Sequence, residues 1–361
     1  MPSENGSDAA QAGGNGAVPN GLKLVPRSDV EYKMKDFKSD QDVRWCPGCG
    51  DYAILAAFQG FLPELGVPRE NIVMVSGIGC SSRFPYYLST YGMHSIHGRA
   101  PAIATGLAAS RPDLSVWVIT GDGDGLSIGG NHLIHALRRN VNINVLLFNN
   151  RIYGLTKGQY SPTSATGMVT RSSPMGSLDS PFNPVSLALG AEAGFVARTV
   201  DSDRKHLTSV LRAAADHEGA SFVEIYQNCP VFNDEAFEPL KDSAERDSRL
   251  LRMEHGEPLR VGDRGVVVGD YGELAIADVA EVGEENLVRH DAHRADPGYA
   301  FALSRLDLPA FEHVPVGVFR DVKRPTYDEL MAEQLETAGA GQGDADLAGL
   351  LASGDTWTVE G

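Results

Sequence analysis

The sequence predicts an α/β fold: an open, mostly parallel sheet with helices on both faces, followed by an irregular C-terminal extension. Short runs rich in apolar and β-branched residues recur at 72–75, 115–120, 143–148, 195–200 and 222–226, with helix-period patterns between them. That alternation implies parallel strands joined by crossover helices. The run at 72–75 is apolar throughout, as expected of a strand covered on both faces.

The elements follow in order. Residues 1–20 are rich in Gly, Ala, Ser and Asn, with no apolar core and no basic start. They read as disordered chain rather than a signal peptide, and the tail is placed at 1–35. A domain over 36–235 opens with a polar approach to Trp45 and a helix over 52–65, where Ile54, Leu55, Phe58 and Leu62 share one face and Pro68 ends the pattern. Small residues predict a tightly packed helix over 100–109, and further helices fit 131–139 and 206–217. Residues 152–177 are dense in Gly, Ser, Thr and Pro and predict a loop that covers something. From Pro239 the composition turns charged and irregular, with two apolar runs at 266–268 and 314–319. Residues 236–335 are therefore expected to wrap the domain or a partner, and 336–361 to be flexible.

Charge and cysteine content narrow the function classes. A net charge of −17 and a pI near 5.0 argue against a nucleic-acid binder, which carries a basic face. No run approaches the roughly 20 apolar residues of a membrane span, so a cytoplasmic protein is expected. Its four cysteines, Cys46, Cys49, Cys80 and Cys229, are then expected as free thiols or metal ligands, because disulfides are disfavoured in that compartment.

The chemistry is concentrated in one segment. A strand feeds directly into Gly121-Asp122-Gly123-Asp124-Gly125, and the following strand ends at Asn149-Asn150. Glycines let the backbone approach a phosphate, and a helix N-terminus offers free N–H groups to an anion. Two carboxylates in that turn would repel a diphosphate unless a divalent cation stood between them; Mg²⁺ takes carboxylate, amide and phosphate oxygens together. The carboxyl ends of neighbouring parallel strands are where open α/β sheets bind cofactors. The pattern looks like the thiamine diphosphate signature. A dinucleotide fingerprint is the competitor, but Ile128 stands where its third glycine belongs. A glycine-rich turn without a ligand is the bland alternative.

Cys46-Pro-Gly-Cys49 sets two thiols within one turn, and Cys80 and Cys229 each follow the end of a predicted strand. Four is the ligand count of one [4Fe–4S] cluster or one structural zinc. Structural zinc sites usually present a second closely spaced pair, whereas here the other two ligands are scattered. A redox cluster beside a carbanion-forming cofactor also has a chemical reason to exist.

With these pieces together, the chain resembles the beta subunits of the 2-oxoacid:ferredoxin oxidoreductases, over roughly residues 45–330. The resemblance rests on Cys46-Pro-Gly-Cys49-Gly-Asp, Gly77-Ile-Gly-Cys80-Ser-Ser-Arg83-Phe-Pro, His97-Gly-Arg99-Ala-Pro, Gly121-Asp-Gly-Asp, Asn149-Asn-Arg-Ile-Tyr-Gly-Leu-Thr and Cys229-Pro. It implies Mg²⁺ ligation by Asp122, Asn150 and the carbonyl of Ile152, and a [4Fe–4S] cluster on Cys46, Cys49, Cys80 and Cys229. Gly154, Leu155 and Thr156 would line the diphosphate and thiazolium. Ile78, Gly79, Cys80, His97, Gly121, Gly123 and Asp124 complete the expected cofactor contacts. His97 and Arg99 would touch diphosphate or substrate, although Arg99 equally suits a surface position. Lys157 could reach substrate, Trp45 would shield the cluster, and His132 and His135 fit packing roles on a helix.

The implied reaction is oxidative decarboxylation of a 2-oxoacid, with thiamine diphosphate as electron sink, the cluster passing single electrons to ferredoxin, and coenzyme A taking the acyl group. The family's pyrimidine-binding domain lies on a separate alpha subunit, so this chain is expected to be half an active site within an α2β2 assembly. The wording Cys80-Ser-Ser-Arg83-Phe-Pro is similar to that of 2-oxoglutarate-type members, which places Arg83 against the substrate's second carboxylate. Pairing of Arg83 with cluster or diphosphate charge is the alternative. Pyruvate or a broader 2-oxoacid range stays open within the family. Outside it stand a non-redox thiamine diphosphate carboligase and a zinc-stabilised scaffold without catalysis.

Overall fold

The computed structural model describes residues 20–234, 236–240, 242–306, 311–341 and 345–361. Eight strands form the main sheet: β1 (Ile72–Ser76), β2 (Tyr91–His94), β3 (Ser115–Gly121), β4 (Asn144–Asn149), β5 (Phe195–Val200), β6 (Ser221–Tyr226), β7 (Leu250–Met253) and, last in the chain, the strand Val314–Asp321. Their spatial order is β2-β1-β3-β4-β6-β5, then Val314–Asp321, then β7. All pairs are parallel except that between β5 and Val314–Asp321. The five strands read from the sequence are β1, β3, β4, β5 and β6, and every one of their residues is buried apart from Gly121 at the end of β3. Burial on both faces is why these segments carry a nearly unbroken apolar pattern.

Alternate residues divide between the two faces. Ile72, Met74, Trp117, Ile119, Leu146 and Phe148 pack with helices α1 (Asp51–Phe61) and, later in the chain, Arg204–Asp216. Val73, Val75, Val116, Val118, Val145 and Leu147 pack with α2 (Ala100–Ser110), the helix Gly130–Arg138 and the helix Pro184–Gly190. Helices therefore cover both faces, as the alternating pattern requires. Side-chain caps fix two helix starts: Asn183 accepts from the N–H of Ser186, and Asp203 from the N–H of His206.

Four expectations need correction. The tail does not extend to residue 35, because Leu22 and Val25 are buried in the core beside the helix Arg204–Asp216; the expectation for residues 1–19 lies outside the described residues. The C-terminal region is not irregular: it carries strands and helices, and Leu251, Leu259, Val266 and Phe319 from it pack into the core of the domain. The apolar runs at 266–268 and 314–319 fall in the strands Arg264–Val268 and Val314–Asp321; the first belongs to a three-stranded antiparallel sheet with Arg260–Val261 and Leu274–Asp278, the second to the main sheet. The strand Leu274–Asp278 is half-exposed along its length and gives little periodic signal, which is why it was not read from the sequence. The helix Tyr327–Ala340 crosses the expected boundary at residue 336. β2 was not anticipated, since as an edge strand exposed along its length it has no apolar pattern to show. Among the described residues, no helix is long and apolar enough to cross a membrane.

Candidate functional site

β1, β3 and β4 run parallel and end at one edge of the sheet, each feeding a loop that carries chemistry. β1 delivers Gly77 to Cys80. β3 delivers Gly121 and Asp122 into a one-turn helix, Asp122–Leu126, and β4 delivers Asn149 and Asn150. The loops enclose a pocket lined by Ile78, Gly79, Cys80, His97, Gly121, Asp122, Gly123, Asp124, Asn150, Ile152, Gly154, Leu155 and Thr156. These are all of the cofactor-binding residues expected from the sequence. Ser81, Phe148 and Tyr153 also line it and were not anticipated.

The two aspartates differ in role. Asp124 joins three loops: its Oδ1 accepts from the N–H of Gly98 at 2.7 Å and of Ile78 at 3.0 Å, and its Oδ2 accepts from the hydroxyl of Thr120 at 2.6 Å. Gly77 is required by that arrangement, since a Cβ there would lie 1.9 Å from Asp124 Oδ2. His97 Nδ1 lies 3.4 Å from Asp124 Oδ1. Asp122 is also buried, and its Oδ2 accepts from the hydroxyls of Ser161 at 2.5 Å and Thr163 at 2.6 Å. Burial pushes its carboxyl up to about 6 against the pull of those two hydrogen bonds. Among the described residues no cationic side chain is in hydrogen-bond contact with this buried carboxylate, a setting that a bound cation would relieve. Tyr153 donates its hydroxyl to the carbonyl of Gly123 at 3.0 Å, and its ring lies so close that a Cβ on Gly123 would sit 2.2 Å from it.

The two asparagines also divide. Asn149 points into the sheet, donating to Glu224 Oε1 at 2.7 Å, while Asn150 lines the pocket and its Oδ1 accepts from the N–H of Ile152 at 3.2 Å. Arg151, which follows them, sits at φ +57°, in the left-handed region, so the chain turns sharply where the pocket needs it.

A second cavity of about 200 Å³ adjoins the first, and Cys80, Asn150, Gly154 and Leu155 line both. All four cysteines, far apart in sequence, line this second cavity together with Trp45, Arg83 and Lys157. All four are free thiols. Gly154 lies between the cavities, where a Cβ would be 3.6 Å from Cys229 Sγ and 3.7 Å from Cys80 Sγ. Burial pushes the Cys80 thiol up to about 11 and raises those of Cys49 and Cys229, so none favours the bare thiolate in this environment. Trp45 closes one side and donates its indole N–H to the carbonyl of Cys80 at 2.7 Å; the side-chain amide of Gln227 donates to Cys49 Sγ at 3.2 Å.

Neither arginine lines the Asp122 pocket. Arg83 lines the cysteine cavity rather than the Asp122 pocket, and its Nη1 donates to the carbonyl of Arg44 at 2.6 Å. Arg99 lines neither; its Nη1 donates to the carbonyls of Ile128 at 3.2 Å and His97 at 3.4 Å, which ties down the loop that presents His97. His132 and His135 sit half-buried on the helix Gly130–Arg138, away from both cavities.

Comparison with known proteins agrees with this geometry. Residues 77–225, which contain every pocket loop, match the family "Thiamine pyrophosphate enzyme, C-terminal TPP binding domain". The chain is 63% identical over 342 residues to the 2-oxoglutarate oxidoreductase subunit KorB of Mycobacterium tuberculosis, covering 93% of this chain and 91% of that protein. This chain belongs to the beta subunits of the 2-oxoacid:ferredoxin oxidoreductases. A further member of that family, the 2-oxoglutarate synthase subunit KorB of Methanothermobacter thermautotrophicus, is 36% identical over 246 residues, covering 66% of this chain and 85% of its own. Among solved structures, the 2-oxoglutarate:ferredoxin oxidoreductase from Magnetococcus marinus, described with 2-oxoglutarate, coenzyme A and succinyl-CoA bound, superposes with a TM-score of 0.72 at 34% identity. That match covers 90% of this chain and 97% of the other.

Proposed function

We propose that the chain is the beta subunit of a 2-oxoglutarate:ferredoxin oxidoreductase, which converts 2-oxoglutarate and coenzyme A to succinyl-CoA and CO₂ and passes the electrons to ferredoxin. The observation that carries this reading is the shared wall: one sheet edge holds a pocket with the thiamine diphosphate family's loops, and Cys80 and Gly154 border both it and a four-cysteine cavity. The substrate follows from relatives named for 2-oxoglutarate at 63% and 36% identity and from the solved relative described with 2-oxoglutarate and succinyl-CoA.

In this reading Asp122, Asn150 and the carbonyl of Ile152 hold Mg²⁺ against the diphosphate, and the buried Asp122 carboxylate suits that partner. Bound in the pocket, thiamine diphosphate supplies the electron sink for decarboxylation. Cys46, Cys49, Cys80 and Cys229 hold a [4Fe–4S] cluster. A single zinc would need its sulfurs within about 2.3 Å of one point, and among the described residues no three His, Cys, Asp or Glu side chains are grouped to hold one ion. A cluster spreads its sulfurs around a larger body, which a cavity of about 200 Å³ suits better. The chain's own contribution is to fix the pocket loops through Asp124, to set cofactor and cluster on two sides of a wall made by Cys80, Asn150, Gly154 and Leu155, and to close one side of the cysteine cavity with Trp45.

The pyrimidine side of the cofactor is assigned to an alpha subunit in an α2β2 assembly, and the assembly to the cytoplasm, where the four thiols would persist reduced. The test is co-expression with that subunit and anaerobic assay of ferredoxin reduction. Activity should require 2-oxoglutarate, coenzyme A and both subunits, and the protein should be brown, absorbing near about 400 nm as iron–sulfur proteins do. A colourless, zinc-containing complex, or one that prefers pyruvate, would overturn the cluster or the substrate respectively.

A further inference from the structure

The loop between β4 and the helix Pro184–Gly190 carries Ser161-Pro-Thr-Ser164, and its three hydroxyl side chains are each no more than 3% exposed. They are not on the pocket wall but directly behind it. Ser161 Oγ and Thr163 Oγ1 both donate to the same oxygen of Asp122, Oδ2, so Oδ1 takes neither bond. Thr163 Oγ1 also lies 2.9 Å from Asn149 Oδ1; a hydroxyl has one proton, and the shorter contact of 2.6 Å to the carboxylate holds it. Ser164 Oγ accepts from the N–H of Ser161 at 2.8 Å and donates to the carbonyl of Arg151 at 2.6 Å. Through these contacts the loop meets Asp122 at the end of β3 and Asn149 and Arg151 at the end of β4, the two segments that present the proposed cation ligands.

We infer that Ser161 and Thr163 are positioning residues for the cation site: they hold Asp122 Oδ2 so that Oδ1 faces Mg²⁺, and they lock the covering loop to the site. The inference rests on the reading of Asp122 as a Mg²⁺ ligand. Without these two bonds Asp122 Oδ2 would lose both hydroxyl partners, and the loop would be left to the bond from Ser164 to the Arg151 carbonyl to hold it beside the ligand. Groups that hydrogen-bond a metal's ligands commonly govern 10- to 100-fold in metal affinity, roughly the effect expected here.

The test uses the complex with its alpha subunit and reads Mg²⁺-dependent thiamine diphosphate binding by calorimetry, beside steady-state kinetics. Ser161→Ala/Thr163→Val should weaken Mg²⁺ affinity by roughly 10- to 100-fold and raise KM for thiamine diphosphate. At saturating Mg²⁺ and cofactor, kcat should recover to within a few-fold. Thr163→Ser, which keeps the hydroxyl, should retain near-normal affinity, and it decides the matter alongside single Thr163→Val if the double variant fails to assemble. Affinity within twofold of normal in Thr163→Val, or a loss that Thr163→Ser shares in full, would overturn the inference. Asp122→Ala separates the two levels: if it abolishes Mg²⁺-dependent binding while the hydroxyl variants bind normally, only the positioning role fails. If Asp122→Ala binds normally, the ligand assignment itself fails.

Discussion

Asn149 donates its side-chain amide to Oε1 of Glu224 over 2.7 Å, and the other carboxylate oxygen of Glu224 accepts from Arg198 Nε at the same distance. Glu224 is fully buried and Arg198 is 2% exposed, so this is an ion pair within the sheet, joining β4, β6 and β5 directly beneath the asparagine that precedes Asn150. Removing one member of such a pair strands a charge in the core. Glu224→Ala should therefore destabilise the protein by about 3–5 kcal/mol. Glu64→Ala, which breaks an ion pair with Arg212 whose side chains are 42% and 50% exposed, should cost less than about 1 kcal/mol. Urea denaturation of both variants checks the contrast; comparable losses would mean that the buried pair is not what holds β4 to its neighbours.

The cysteine cavity predicts a loss of iron rather than a loss of fold. Cys229→Ser nearly keeps the size of a side chain that lines the cavity but replaces a soft ligand with a hard one. Iron content and the low-temperature EPR signal of the reduced protein should fall, and ferredoxin reduction should stop while 2-oxoglutarate still binds. Normal iron and an unaltered signal would remove Cys229 from the ligand set.

Arg83 tests where substrate specificity lies. Its place on the cysteine cavity, with a charge that favours the Cys80 thiolate, puts it on the cysteine side of the shared wall rather than in the pocket with Asp122. Arg83→Met should then lower kcat/KM for 2-oxoglutarate and 2-oxobutyrate alike, on the order of 10-fold for one charged contact. A loss confined to 2-oxoglutarate would instead return Arg83 to recognition of the second carboxylate.

His206, on the helix Arg204–Asp216, should set part of the acid sensitivity. Burial, followed by the charge of Arg252, pushes its imidazole down from 6.5 to about 4, and its Nδ1 lies 2.8 Å from Thr199 Oγ1. Between those values the unfolded chain binds a proton that the folded chain does not, so stability falls as pH drops through that window and is fully present above it. The contribution is about 3 kcal/mol. His206→Gln should flatten the acid limb of the stability profile between pH 6.5 and 4, as read by thermal midpoints of the full chain. An unchanged slope would assign the acid limb to other groups.

The sequence by itself determined the parallel sheet and most of the pocket. The strands β1, β3, β4, β5 and β6 are buried on both faces, and that burial imposes an apolar run that can be read locally. Asp122 and Asn150 were legible because the glycines and the strand ends fix their place on one edge whatever the rest of the chain does. The strand Leu274–Asp278, half-exposed along its length, was not legible. Nor were the roles that depend on which loop folds against which. Asp124 as the tie between three loops, Arg99 as a loop brace, Arg83 on the cysteine side of the wall, and Ser161 and Thr163 behind Asp122 follow from contacts across 26 to 46 residues of chain. A hydroxyl or guanidinium looks the same in the sequence whether it meets water or a buried carboxylate; only the tertiary structure, by placing a partner within hydrogen-bond reach, decides between them.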